Sequence, residues 1–408
     1  MRHSYEPIIH YTRLSGKRTV RSQQLKLPEK RTLKIRFRGV FCQRRSGSEH
    51  ACDQRQDDSR TMHGHLPRNG HRQTGLQSAL LSSGQAGTRA RRDGSVVRTL
   101  IFHDGALGDV LLSLPCIAAI GKHPMPLDVV CRDDVGRLLK ASEAVHDAFS
   151  SDRRVFSSWY GGRPDNAGRE LLGCYDRVFV FTRREGSDLA KNIARTVPDT
   201  RIIITVPPAD DRTHVAEFRL RQLQDAPRHD GPVRLSVPPD LRRQAREVLM
   251  RTGHDGQKHL AVLHPGSGGK RKCWPLERYF ELAERVVEKA GAFILFLTGS
   301  TEELVVRERI KGFVRARTGM AHIADADLTT VAGILAQCGL FAGNDSGISH
   351  LAAAVGAPVV ALFGPTDPAL WRPCGETVRV VAARTLDAIS VADVFEATTE
   401  CGARTVSA

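Results

Sequence analysis

From Arg98 onward, short continuous apolar runs alternate with longer stretches of helical spacing. The runs lie at 98–102, 127–131, 177–181, 201–206, 259–263, 292–297, 339–342, 358–363 and 378–381. An unbroken apolar run marks a strand buried on both faces, as in a parallel sheet covered by helices. Between the runs, stretches such as Val110–Ile120, Leu241–Thr252 and Leu276–Ala290 carry apolar residues at helical intervals. The pattern predicts an α/β protein. About 310 residues exceed what one compact core accommodates, so two parallel-sheet lobes are expected. The joint is expected near Gln224–Asp240, where Pro227, Gly231, Pro232, Pro238 and Pro239 break the pattern. The expected division is an N-terminal extension 1–97, a first lobe 98–235, a second lobe 236–390 and a C-terminal tail 391–408.

Charge separates the extension from the rest. Met1–Arg98 holds 21 Lys/Arg against 7 Asp/Glu, which accounts for +14 of the chain's formal +15. The lobes are therefore near neutral, and nucleic-acid binding by the folded part is not expected. The extension is rich in Arg, Gln, Ser, Gly and His without apolar periodicity, the composition of a disordered segment. It has no apolar run long enough for a signal peptide or a membrane span. A basic arm drawn to anionic lipid, a targeting sequence and a translation start placed too early are the competing readings; the last is preferred, because the lobe pattern opens cleanly at Arg98. The nine cysteines include no C-x-x-C pair, so neither a metal site nor disulfides are expected.

Three strand-to-helix corners carry the candidate chemistry. The first is His103-Asp104-Gly105-Ala106-Leu107-Gly108-Asp109, where Gly105 and Gly108 allow a tight turn and Asp109 falls in the first helical turn. It lacks the third glycine of a dinucleotide fingerprint, so no nicotinamide cofactor is expected. The second is His264-Pro265-Gly266-Ser267-Gly268-Gly269-Lys270-Arg271-Lys272-Cys273-Trp274-Pro275, a Gly/Ser loop with three cations suited to a diphosphate. The third is Asn344-Asp345-Ser346-Gly347-Ile348-Ser349-His350, where a helix start offers unpaired N–H groups to an anion. Asp345 and Ser346 also suit a helix cap, and His350 a packed core position.

Together with Phe363-Gly364-Pro365-Thr366-Asp367, these motifs resemble glycosyltransferase family 9, the ADP-heptose:lipopolysaccharide heptosyltransferases. The resemblance implies a GT-B-like fold, two Rossmann-like domains facing each other across a cleft, with the acceptor on residues 98–235 and the nucleotide sugar on 236–390. It implies an inverting transfer without metal or other cofactor. It implies Asp109 as general base and Lys272 as the diphosphate contact, helped by Ser267 and the N–H groups of Ser346 and Gly347. Asp345 would cap its helix or touch the donor sugar, His350 would contact phosphate or orient a loop, and Glu302 or Glu303 would hold the ribose. The resemblance further implies an ADP-heptose donor, a lipid-linked saccharide acceptor and work at the cytoplasmic face of the inner membrane. Asp325-Ala326-Asp327 imitates the metal-holding D-x-D of other glycosyltransferases, but Asp327 precedes a predicted helix and reads as its cap. The residue two before Gly105 is often basic in the family and is His103 here. A family 9 enzyme with another donor or acceptor, a sugar-nucleotide epimerase on the same fold, and a non-enzymatic basic binding protein remain the alternatives.

Overall fold

The computed structural model describes residues 97–121, 126–223, 231–300 and 302–405. The extension expected at 1–97 therefore lies, up to residue 96, outside the described residues. Two all-parallel sheets follow. The first comprises β1 (Thr99–Phe102), β2 (Leu127–Cys131), β3 (Asp147–Ser150), β4 (Arg177–Thr182) and β5 (Asp199–Ile204), in spatial order β3-β2-β1-β4-β5. The second comprises β6 (Leu260–His264), β7 (Phe293–Thr298), β8 (Met320–Ala324), β9 (Leu340–Asn344), β10 (Val359–Phe363) and β11 (Val378–Ala382), in order β11-β10-β9-β6-β7-β8. In both, the chain starts in the middle, winds to one edge, then returns and winds to the other. Such an order opens a crevice beyond the strand ends where the winding reverses, between β1 and β4 and between β6 and β9. The fold is two Rossmann-like α/β lobes of the GT-B type, as the apolar pattern and the resemblance led one to expect.

All nine apolar runs are strands. The two strands that the pattern omitted, β3 and β8, both lie at or beside solvent. β3 is an edge strand in which Phe149 alone is buried, and β8 is an edge strand in which Ala321 alone is. A strand covered on one face needs no continuous apolar run. The stretch expected as a tail, 391–408, contains the helix Val391–Thr405, whose Val394 and Cys401 are fully buried in the second lobe's core. The helix expected at Leu241–Thr252 runs from Pro239 to Arg251, because Pro239 fits the N-terminal turn.

Local sequence explains the elements that frame the site. The helix Leu276–Ala290 follows Pro275 and buries Leu276, Tyr279, Leu282, Ala283 and Val286, one face at three- and four-residue intervals. It stops at Gly291, whose φ of 61° a β-carbon would oppose. Trp274, beside it, is 2% exposed; its Nε1 donates to the Ile389 carbonyl at 3.0 Å and its ring meets Tyr279 edge-on. Among the described residues, no helix is long and apolar enough to cross a membrane.

Candidate active site

At the first switch point, β1 ends in the turn that leads into the helix Leu107–Leu111. Ala106, not Asp109, is its N-cap residue, and Asp109 sits inside the first turn. The Asp109 carboxylate lines a cavity of about 550 Å3 with Asp104, Tyr160, Thr182, Arg183 and Asp188. The cavity thus joins the end of β1 to the end of β4, as the winding reversal demands. Tyr160 OH donates to the Asp104 carboxylate over its rim.

Neither glycine of this turn has a positive φ; each is small because something occupies the space of its side chain. A Cβ on Gly105 would lie 2.8 Å from the His103 ring. A Cβ on Gly108 would lie 3.1 Å from His350 Cδ2 and 3.6 Å from Gly347 Cα, both in the other lobe. Gly347 in turn faces Leu107, with 3.0 Å from its would-be Cβ to Leu107 Cβ. At Gly108 the missing side chain lets the two lobes come into contact; at Gly105 the space is taken by the first lobe's own His103, and Gly105 also lines the cavity beside Asp109.

His103 does not stand in the place of a surface cation. It is 2% exposed, stacked on Phe181 at 4.7 Å, and burial assisted by the positive charge of Arg219 pushes its pKa down to about 3. The Gly105 N–H points at its Nδ1 at 3.3 Å, so Nε2 carries the proton and donates to Ser113 Oγ at 3.0 Å. Ser113 Oγ donates to the Asp109 carbonyl at 3.1 Å. Arg219, 0% exposed, completes the arrangement. Its Nε donates to the Thr205 carbonyl at 2.9 Å and its Nη1 to Ser113 Oγ at 2.8 Å and to the Asp109 carbonyl at 2.5 Å; Nη2 reaches Asp109 Oδ1 at 3.2 Å.

At the second switch point, the loop after β6 meets the turn after β9. Asn344, fully buried at the end of β9, joins them: Nδ2 donates to the Pro265 and Gly266 carbonyls at 2.8 and 3.3 Å. Its Oδ1 accepts from Trp274 N at 3.0 Å and Tyr279 OH at 3.1 Å. Lys272 Nζ donates to Asp345 Oδ2 at 2.7 Å, and Ser267 Oγ donates to the Asp345 carbonyl at 2.7 Å. The helix Gly347–Ala354 is capped by Ser346, whose Oγ accepts from Ser349 N at 3.4 Å, which leaves the Asp345 carboxylate to Lys272. Its first amides have no intrahelical partner and point out of the helix start. His350 Nε2 lies 4.0 Å from Asp345 Oδ1, and its buried Nδ1 has no partner among the described residues. Burial pushes its pKa down to about 4 against the pull of Asp345 and the weaker pull of Asp109, so the ring is neutral near pH 7.

Glu302 and Glu303 part company. Glu302 folds inward: one oxygen accepts from Gly299 N, and the other lies 1.7 Å from where a Gly266 Cβ would be. Glu303 turns out to solvent and pairs with Lys270 Nζ at 2.6 Å. Both line a cavity of about 600 Å3 with Ser267, Cys273, Trp274 and Leu276. Asp327 caps the helix Leu328–Leu335 by accepting from Thr330 N at 2.9 Å, while Asp325 pairs with Arg307 at 2.7 Å.

The structure therefore gathers Lys272, Ser267, Asp345 and Ser346 at one corner and sets Gly108, beside Asp109, against Gly347 and His350. Sequence reasoning missed Arg219 and Ser113, and it placed Asn344 in the third corner without a role of its own. Arg219 left one signal, since it shares the buried face of its helix with Val215 and Ala216.

Residues 206–393 match the model of glycosyltransferase family 9 (heptosyltransferase). Among curated proteins, lipooligosaccharide heptosyltransferase 2 of Haemophilus ducreyi is 32% identical over 162 residues, 35% of this chain and 44% of that protein. The chain thus spans under half the length of this relative. The solved E. coli ADP-heptose lipopolysaccharide heptosyltransferase II aligns over its whole length and 76% of this chain, with 19% identity and a TM-score of 0.62. A glycosyltransferase family 9 structure from Veillonella parvula gives a TM-score of 0.64 at 19% identity, over 97% of that chain and 76% of this one. At that identity the two structures speak for the fold. Residues 206–393 thus carry the likeness to glycosyltransferase family 9, the heptosyltransferase family.

Proposed function

We propose that the protein is an inverting glycosyltransferase that needs no metal and moves heptose from ADP-heptose to a lipopolysaccharide core acceptor. One observation carries this reading: Gly108, the residue before Asp109 in the first lobe, packs against Gly347 and His350 of the second-lobe corner where Lys272 pairs with Asp345. The relative from Haemophilus ducreyi carries the heptosyltransferase name, and the E. coli protein of like fold carries ADP-heptose in its own.

In this reading the 550 Å3 cavity beside Asp109 takes the acceptor sugar, and the 600 Å3 cavity beside Glu302 takes the nucleotide. The acceptor hydroxyl oxygen bonds to the anomeric carbon from the face opposite the diphosphate. Asp109 takes the hydroxyl proton, and the breaking C–O bond leaves its electron pair on the diphosphate. An alcohol is a weak nucleophile near pH 7, so such a base contributes about 10²–10⁴-fold. Charge growing on the diphosphate meets Lys272, Ser267 and the amides at Ser346 and Gly347. Glu302, folded onto Gly266, is the acid assigned to the ribose; Glu303, held outward by Lys270, is not. Residues 98–235 form the acceptor side and 236–390 the donor side. The acceptor's lipid anchor would bring the enzyme to the inner face of the membrane.

The test is direct. Purified protein is incubated with ADP-heptose and a truncated lipopolysaccharide core, and ADP release and product mass are followed. Stoichiometric ADP with a product heavier by one heptose, unaffected by a chelator, is expected. No transfer, together with thermal stabilisation by GDP-, UDP- or dTDP-sugars in place of ADP-heptose, would replace the donor.

A further inference from the structure

Arg219 is the most thoroughly buried charge near the site, and its surroundings raise a question. A guanidinium removed from water costs free energy unless its donors are satisfied and a counter-charge is near. Three of its four hydrogen bonds go to the Asp109 carbonyl, the Asp109 carboxylate and Ser113 Oγ, which itself donates to the Asp109 carbonyl. The fourth, to the Thr205 carbonyl, fixes the guanidinium plane. A single side chain thus grips both the backbone and the carboxylate of one residue, 110 positions away.

The helix that carries Arg219, Val215–Arg221, is tied to both lobes. On the first-lobe side, Gln222 Oε1 accepts from Ile204 N at 2.8 Å and its Nε2 donates to the Ile204 carbonyl at 2.9 Å, closing the end of β5. On the second-lobe side, Arg212 pairs with Asp367, and His214 Nε2 donates to the Arg372 carbonyl at 2.9 Å. Val215 and Ala216 bury themselves with Leu112 against Trp371 and Cys374. The element that holds Asp109 is therefore also an element that joins the lobes.

We propose that Arg219 is the positioning residue of Asp109, holding its carboxylate toward the acceptor cavity, and that it does so from the strap Arg212–Gln222 that fastens one lobe to the other. This rests on the reading of Asp109 as the base. Its chemistry is that of a fixed fork: the planar guanidinium holds carbonyl and carboxylate in one geometry, which an ammonium on a flexible stem does not reproduce. A small misplacement of a reacting group costs up to about 10²-fold in rate.

The experiment is a double-variant cycle on the full chain: Arg219→Gln, Asp109→Asn and the pair, with Arg219→Lys beside them. Turnover is measured by ADP release at high enzyme concentration and expressed per donor-binding molecule, counted by calorimetric titration with ADP-heptose, so that misfolded protein drops out. Expected are a fall in kcat of about 10–10²-fold for Arg219→Gln with donor affinity unchanged within about twofold, and an intermediate value for Arg219→Lys. In the Asp109→Asn background the same change should have no further effect, because the partner through which Arg219 acts is gone. Equal losses in both backgrounds, or unchanged turnover in Arg219→Gln, overturn the positioning role alone. Full activity of Asp109→Asn overturns the base assignment, and the positioning role with it.

Discussion

At the first switch point a turn that presents a carboxylate is held from behind by a buried cation and a neutral histidine. At the second, a turn that presents cations is held by the uncharged side chain of Asn344. Asn344 uses both its N–H bonds and both its lone pairs on four partners, so the loop after β6 and the turn after β9 lock together with no net charge placed behind them. On the proposed reading, the difference follows from what each corner faces. The Asp109 carboxylate has the Arg219 guanidinium 3.2 Å behind it as a counter-charge. A diphosphate would bring its own negative charge; Lys272 is already paired with Asp345 at 2.7 Å, and a neutral support adds no further anion against it or the helix start.

The contrast breaks most easily at the carboxylate. Asp109→Asn is expected to lower kcat by about 10²–10⁴-fold with donor affinity within a few-fold; steady-state turnover and calorimetric donor binding measure the two, and retained turnover removes the base. Asn344→Ala is expected to cost more than about 3 kcal/mol in stability, since buried groups left unpaired cost about 1–3 kcal/mol each. Urea denaturation reads this, and a loss under 1 kcal/mol would show that the two loops do not depend on the amide.

Acid should distinguish the supports as well. His103 and His350 have folded pKa values near 3 and 4, below the unfolded 6.5, so the unfolded chain binds protons first as pH falls. The stability tied to their neutral forms is complete above about pH 6.5 and drains away toward pH 4. Each histidine contributes a slope of up to about 1.4 kcal/mol per pH unit within that window. Thermal midpoints across pH 4–7 test this, and His103→Asn should flatten the slope. Lys272→Ala is expected to weaken donor affinity and turnover by about tenfold, the weight of one charge-assisted hydrogen bond; unchanged kinetics would take it out of the site. Smallest of all, Arg212→Ala breaks an exposed pair with Asp367 and should change stability by less than about 1 kcal/mol.

Legibility in the sequence followed the range of the interactions. Strands β6, β7, β9 and β10, covered on both faces, announce themselves as apolar runs; β3 and β8, half-covered at sheet edges, do not. The Gly105–Asp109, His264–Pro275 and Asn344–His350 segments were readable because each packs its chemistry into a few consecutive residues. Arg219 was not, because it meets Asp109 only after the first sheet is complete and the strap has folded back. The different settings of Glu302 and Glu303 were equally closed to sequence: which of two adjacent acids folds into the space above Gly266 is decided by tertiary packing.

The touching glycines Gly108 and Gly347 have a mechanical consequence. Any rocking of one sheet against the other that pivots on this contact displaces an atom in proportion to its distance from it. Asp109 and the start of the Gly347–Ala354 helix lie beside the fulcrum and keep their spacing through such a swing, whereas the far walls of the two cavities, at the ends of the levers, travel furthest.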